Sequence, residues 1–421
     1  MRGLVLLLLP LLVAASNISK NSSSSSSGRS SSRSSCSLID PGAALNATVF
    51  LTIQARDDGL GAIIARIVPA VAFSQRLGWQ FAGVFGRDKS SGHVSHFVEE
   101  IQFLNFYFGN GSLLFEHNYL EAAMHTTHWP YTKMVIRPQD FDFIEQRVDK
   151  HISSGGAQLI LQFSGDDFFH PTNVPASDDP TNSTMRHVAF NRSVKAYIDE
   201  PFLVRLRRGA VCGVTHVLQE YGNFFSSSPP WVNTNEVKPS KLQAARGKVT
   251  VAVHMRLGDV VRGSIYPANA MRFTPLSWYY HVLLGLEQLL PNADIHVFTS
   301  FDVHHPEVTR VAMRALGTLR LMGYRVHASN ESSAHNGEAT REAMRDMAHM
   351  ASADVLLTAR SSFSIVAGYL NPNCVLYLPF RHAPLEGWIS LPAAVYDHPG
   401  AMRIIAEHLP PCLQKKGVLL S

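Results

Sequence analysis

The strongest constraint on this chain is a rhythm in its second half. Short apolar runs, VTVAVHM (249–255), DIHVFTS (294–300), YRVHAS (324–329), DVLLTA (354–359) and CVLYLP (374–379), alternate with longer amphipathic stretches. Those stretches are LSWYYHVLLGLEQLL (276–290), HPEVTRVAMRALGTL (305–319) and EATREAMRDMAHMASA (338–353); the last puts Ala343, Met347 and Met350 on one helical face. Strands apolar along their whole length are buried on both faces, which requires helices layered on both sides of a parallel sheet. The rhythm therefore predicts an α/β fold with a doubly wound parallel sheet. The first half carries a weaker copy: a strand at ATVFLTIQ (47–54), a glycine turn at ARDDGLGA (55–62), a helix over 63–78 interrupted by Pro69, and strands at WQFAGVF (79–85) and AQLILQFS (157–164). Two Rossmann-like domains in series are expected, 46–240 and 241–412, joined near NEVKPSKLQAARGK (235–248). This is the arrangement called GT-B.

Composition narrows the function classes. With 421 residues, 46% hydrophobic and 17% charged, the chain is long and apolar enough for two cores. A net charge of +4, spread along the chain, does not indicate nucleic acid as a partner, yet one or two arginines suffice for a local anion pocket. Residues 1–16, MRGLVLLLLPLLVAAS, have the layout of a secretory signal, or of a short anchor associating the protein with a membrane. The apolar run, 12 residues from Leu4 to Ala15, is short of the ~20 that cross a bilayer. Residues 17–45 are serine-rich and read as a flexible stem. Seven Asn-x-Ser/Thr sequons (Asn17, Asn21, Asn46, Asn110, Asn182, Asn191, Asn330) agree with a location in the ER or Golgi lumen, or secretion if the signal is cleaved. Cys36, Cys212, Cys374 and Cys412 allow one or two disulfides whose pairing their spacing leaves open.

Chemistry concentrates where strands end. In doubly wound sheets ligands bind at the carboxyl ends of strands. His254, Arg256 and Asp259 stand at such an end, in VAVHMRLGD. Arginine there suits a diphosphate, because its planar fork donates paired, charge-assisted hydrogen bonds and never loses its charge. An ion pair between Arg256 and Asp259 is the plainer account of the same residues. A second stretch, ADVLLTARSSFSIVAGYL (353–370), is a strand, then Ser361, Ser362 and Ser364, then an apolar helix. Serines before a helix serve as N-caps, but with the free N–H groups of a helix start they also form an anion site. In a parallel sheet both turns open on one edge, so together they would grip a pyrophosphate without a metal.

These motifs resemble a family. HMRLGD is similar to the HxRxGD motif of the inverting fucosyltransferases, the superfamily of the α-1,2-, α-1,6- and protein O-fucosyltransferases. PLSWYYHVLLGLEQLLPNADIHVFTSFD follows at the distance found in the α-1,2 branch, MASADVLLTARSSFS resembles that branch's serine-rich signature, and DGLGAIIAR resembles the family's glycine loop with Gly59 and Gly61. The similarity runs over 250–370 and departs from the α-1,2 pattern at Leu257 (usually a second arginine), at Ala62 and Ile63 (usually Asn-Gln) and at Ile365 and Val366 (usually tryptophans). The resemblance implies GDP-fucose as donor, with no other cofactor, and leaves the glycan or glycoprotein acceptor open. It implies that Arg256 holds the β-phosphate, that His254 supports the guanosine-diphosphate site, and that Ser361, Ser362, Phe363 and Ser364 line it. Asp354 resembles the family's acidic residue before the last nucleotide-site strand, and reads equally as a turn residue.

Transfer with inversion needs a base for the acceptor hydroxyl and positive charge for the departing diphosphate. Asp58, directly before the glycine loop, is one candidate base and Asp259 the other; Asp57 and Asp58 also fit as mere shapers of the turn. No DxD motif stands in a donor-domain setting, so no metal is expected. His125, His128, His304 and His305 lack further ligands at metal spacing, Arg205, Arg207 and Arg208 read as a solvated helix face, and Phe106, Phe108, Phe168 and Phe169 are candidates for stacking on a sugar. The competing functions are a GT-B enzyme using another nucleotide sugar and a secreted carbohydrate-binding protein that has lost turnover.

Overall fold

The computed structural model describes residues 48–54, 60–85, 131–136, 143–155, 158–163, 196–207, 248–257, 272–301, 306–330, 338–380, 383–394 and 396–418. All of them belong to one compact unit, Cys36–Ser421. The first sheet holds β1 (Val49–Gln54), β2 (Gln80–Phe85), β3 (Tyr131–Ile136) and β4 (Gln158–Phe163) in the order β2-β1-β4-β3, all parallel. Helices α1 (Leu60–Arg76) and α2 (Ile144–Ser153) belong to this half, with a further helix over 200–207. The expected break at Pro69 is absent, since α1 runs unbroken through it. An internal proline costs a helix about 3 kcal/mol, but Ala65, Val68, Ala70, Val71 and Ala72 around it are all buried. Burial of one large apolar side chain returns about 1.5–3 kcal/mol, so packing outweighs the local penalty.

The second sheet is the one the rhythm announces. It comprises β5 (Thr250–His254), β6 (Asp294–Phe301), β7 (Arg325–Asn330), β8 (Val355–Leu357), β9 (Cys374–Tyr377) and β10 (Ile389–Ser390), in the order β10-β9-β8-β5-β6-β7 and parallel throughout. Its helices are α3 (Leu276–Leu289), α4 (Pro306–Leu321), α5 (Glu338–Ser352), α6 (Ser362–Leu370) and α7 (His398–Lys415). The central strands β5, β8 and β9 are buried at every residue. Their unbroken apolar runs in the sequence have that cause. Edge strand β3, whose Val135 is exposed, is not marked by the rhythm; nor is α7, which carries Pro410 and Pro411 inside it. A disulfide joins Cys374 at the start of β9 to Cys412 on α7. The linker expected near 235–248 and the leader and stem lie outside the described residues, apart from Lys248. No helix among the described residues is long and apolar enough to cross a membrane.

The two sheets share one core. Ile64, Val68 and Phe73 of α1 belong to the same apolar cluster as Met347 and Met350 of α5 and Ile365, Val366 and Tyr369 of α6. A second cluster, on the other face of the second sheet, joins α3, α4 and α7. At the head of the shared core the first turn of α1 meets the first turn of α6. A Cβ on Gly61 would lie 2.5 Å from both Cα and N of Phe363, closer than atoms approach. The neighbour is backbone and cannot swing away. Substituting Gly61→Ala is therefore expected to destabilise the protein by about 1–3 kcal/mol, read as a lower urea midpoint with an unchanged slope; an unaltered midpoint would show that the helices separate freely.

Candidate functional site

β5 and β8 are hydrogen-bonded neighbours, with Val253 opposite Leu357. The turns that leave their carboxyl ends therefore stand side by side. Arg256 Nη1 donates to Ser361 Oγ at 3.3 Å, so the arginine and the serine turn that the sequence singles out lie within reach of each other. Ser361 is the N-cap of α6 and its Oγ also accepts the Phe363 backbone N–H at 3.3 Å. Both lone pairs of that hydroxyl are thus engaged, which leaves its O–H as a donor. Ser362 and Phe363 are half-buried at the head of the helix. The Phe363 ring lies 5.7 Å from the imidazole of His254, and its backbone lies against Gly61. Two helix starts and one guanidinium thus share a small volume. The N-terminal end of each helix carries a partial positive charge, so this volume favours an anion.

His254 closes the floor of the site. It is almost fully buried, and its Nδ1 has no hydrogen-bond partner among the described residues. Burial, reinforced by the Arg256 charge, holds the imidazole down at about 3, so it is neutral under ordinary conditions. A buried ring nitrogen without a partner is costly unless something else supplies one. Asp346, on α5, is a second such group and was not among the expected residues. It is buried, its Oδ1 also lacks a partner among the described residues, and burial pushes its carboxyl up to about 8, with Glu342 adding and Arg345 opposing. The sequence did contain a signal: Asp346 stands three residues after Ala343 and four before Met350, a carboxylate inside the apolar stripe of an amphipathic helix.

Three of the expected assignments change. Asp354 precedes β8 and so stands at the amino end of the sheet, away from the turns that hold Arg256 and Ser361. Its carboxylate takes the backbone N–H and the hydroxyl of Thr250 at 2.9 and 2.8 Å, and its own N–H donates to that hydroxyl. Asp354 is a clasp between strand starts, not a donor-site residue. Ser364 is fully buried and its hydroxyl is used inside the turn, accepting the Ala359 N–H at 3.1 Å and donating to the Ser361 carbonyl at 3.2 Å. It shapes the loop without facing the cleft. Arg207 is not a solvated arginine: it donates to the Tyr369 carbonyl at 3.2 Å and to Glu200 at 3.3 Å, tying the 200–207 helix to α6.

The departures from the α-1,2 pattern also acquire a cause. Leu257 belongs to the second apolar cluster, while Ile365 and Val366 are buried in the shared one. All three are core positions here. Gly59, Asp57, Asp58 and Asp259, the four flagged histidines at 125, 128, 304 and 305, Arg208 and the four phenylalanines lie outside the described residues. Among the described residues no cluster of His, Cys, Asp or Glu has the arrangement that holds a metal.

No protein-family model matches the chain, and no curated protein matches it. Solved structures do. Arabidopsis thaliana FUT1 in complex with GDP is similar at 12% identity, over 81% of this chain and 72% of that one, with a TM-score of 0.37. The fucosyltransferase NodZ from Bradyrhizobium is similar at 14% identity, over 77% and 93%, with a TM-score of 0.32. A trehalose-phosphate synthase from Burkholderia vietnamiensis is similar at 12% identity, over 88% and 91%, with a TM-score of 0.35.

The buried imidazoles set a pH dependence. Beside His254, burial lowers His349 to about 3 and His327 to about 4, and lowers His296, whose ring nitrogens meet His327 at 2.9 Å and Asp294 at 3.1 Å. The folded state binds fewer protons than the unfolded one, whose imidazoles titrate near 6.5. The contribution of these histidines to stability is therefore complete above that pH and is lost as the pH drops through 6.5 toward 4. Between pH 7.5 and 5.5 the loss is expected to be roughly 1 kcal/mol each for His254 and His349. Urea midpoints of the wild type and of His349→Gln at the two pH values check this: the stability of the variant relative to wild type is expected to rise by about 1 kcal/mol between pH 7.5 and 5.5, and a difference that does not change with pH would refute it.

Proposed function

We propose that the protein is a glycosyltransferase, an inverting and metal-independent fucosyltransferase that moves fucose from GDP-fucose to a hydroxyl of a glycan or glycoprotein in the secretory pathway. The observation that carries this reading is the 3.3 Å contact of Arg256 with Ser361 at a site where two helix starts converge. Negative charge grows on the departing diphosphate as the glycosidic bond breaks, and preorganised donors are worth most where charge develops. Arg256, the Ser361 hydroxyl and the head of α6 supply such donors, a task a divalent ion performs elsewhere. Neutral His254 adds a hydrogen-bonding ring nitrogen without a second positive charge.

We assign the base of the nucleotide to Asp346, on the helix α5 that shares a core with α6, and a carboxylate there would favour guanine. A carboxylate pairs with two adjacent N–H groups, and guanine presents such a pair where uracil presents one N–H between carbonyls. Placed in a buried pocket, that pairing also turns the neutral carboxyl into a carboxylate. Nucleotide binding would then release a proton below pH 8, and affinity would rise with pH toward that value. The base that deprotonates the acceptor is assigned to Asp58, with Asp259 as the rival.

Thermal stabilisation by GDP, with a chelator present, tests the reading. At a hundredfold excess over Kd the nucleotide is expected to add about 2.7 kcal/mol, and Arg256→Ala to abolish the gain; stabilisation by UDP and not GDP would redirect the donor assignment, and no response to either would remove it. Asp346→Asn is expected to lose the preference for GDP and, without nucleotide, to gain stability relative to wild type as the pH rises from about 4 to 8, read by urea midpoints. The sign follows from the raised carboxyl: the folded state holds a proton that the unfolded chain has lost, so the contribution of Asp346 to wild-type stability declines as pH climbs from about 4 to 8.

A further inference from the structure

The second sheet carries a chain of hydrogen bonds that the cleft does not use. Asp294, His296 and Phe298 occupy alternate positions of β6, and Phe298 belongs to the apolar cluster that includes Met344 and Met347 of α5. Alternate residues of a strand share a face, so all three stand beneath α5. On β7, Arg325 lies opposite His296 and His327 opposite Phe298, on the same face. His296 is fully buried, with its Nε2 3.1 Å from Asp294 Oδ1, and Arg325 Nε lies 3.7 Å from that same oxygen. On its other side His296 Nδ1 lies 2.9 Å from His327 Nε2. The two rings are 15° from coplanar, which suits an N–H···N bond because ring N–H and ring lone pair both lie in the ring plane. Phe298 stacks on His327 at 4.9 Å and on His349 of α5 at 6.0 Å, so rings from three elements pack as one group.

The order of partners fixes both tautomers. An ionised carboxylate only accepts, so the His296 proton sits on Nε2 and its Nδ1 is an acceptor; His327 then donates from Nε2. One further proton fits this chain. It binds His327 Nδ1, the Nε2 proton of that ring crosses to His296 Nδ1, and the positive charge comes to rest beside Asp294. A second does not fit: hydrogen on both facing nitrogens abolishes their bond and sets two positive rings side by side. We propose that Asp294, His296 and His327 are an acid-sensitive latch: the chain ties β7 to β6 while it holds no more than one added proton, and a second proton releases β7. Edge strand β7 is the element such a break would free, since among the described strands it pairs with β6 alone. The charged and titratable neighbours of the pair are Asp294 on β6, Arg325 on β7, and Arg345 and His349 on α5, while β5 brings Ala252 beside His296. Of these Asp294 alone is acidic, so one added charge is compensated and the next is not. Burial already disfavours the charged rings, so the latch is closed above about pH 6.5, the ordinary imidazole value, and its contribution is lost as the pH falls below that.

Two measurements on the full chain test the latch. Nitrogen NMR of the imidazoles at about pH 7.5, well above the ordinary imidazole value, is expected to show His296 and His327 both as the Nε2–H tautomer; an Nδ1–H tautomer at either ring overturns the chain. Hydrogen exchange resolved to single residues is corrected for the intrinsic effect of pH. Between about pH 7.5 and 4.5 the β7 amides are expected to lose protection at least about tenfold more than the β5 amides, tenfold being one unit of differential proton binding. An equal fall in both strands overturns the latch. His327→Gln keeps an N–H for His296 Nδ1 and takes up no proton, so it is expected to bring the fall in β7 down to that in β5. A variant whose β7 responds to acid as the wild type's does overturns the assignment. If the variant does not fold, the wild-type tautomers and the wild-type comparison of β7 with β5 decide. The latch does not depend on what the cleft binds, so neither result bears on the nucleotide reading.

Discussion

Everything in the site depends on an approach that only a residue without a side chain permits. Gly61 lets the head of α1 rest against the backbone of Phe363, and this contact brings a helix from the first sheet to the turn that carries Ser361. Below it, α1, α5 and α6 bury their apolar faces against one another, so the junction between the sheets is a core and not a hinge lined with water. The position of Gly61 is thus set by the packing of whole helices. A methyl group there would push against a backbone held by seven buried residues of α6.

Bringing two helix starts and an arginine together gathers positive charge, while four buried titratable groups are kept uncharged. His254, His327 and His349 are held neutral by burial, and Asp346 is held protonated by it. Atoms of His254 and Asp346 without a partner among the described residues cost stability.

Hydrogen bonds at the two ends of the second sheet do different work. At the amino end Asp354 and Thr250 satisfy each other completely, and Asn371 donates to the carbonyls of Met350 and Ala353 at 2.9 and 3.0 Å. At the carboxyl end the Ser361 hydroxyl keeps a proton to donate, and a ring nitrogen of His254 remains unmatched. The closed network at the amino end holds the strand starts together. Asp354 and Ser364 are polar residues beside the motif that turned out to be satisfied within the fold.

The amino-acid sequence by itself determined the parallel sheet, because strands buried on both faces must be largely apolar, as in β5, β8 and β9. It also determined that Arg256 and the Ser361 turn share an edge, since all strands of such a sheet point one way. Edge strand β3, the proline-bearing helix α7 and the unbroken course of α1 through Pro69 were not legible, because there packing overrides local preference. Only the tertiary structure decided which polar residues stay unsatisfied. Asp346 and Asp354 are eight positions apart on one strand–helix unit and look alike in a sequence, yet one meets Thr250 and the other leaves an oxygen unpaired. The difference lies in what the neighbouring elements bring to each carboxylate, and neighbours in space are a property of the folded chain alone.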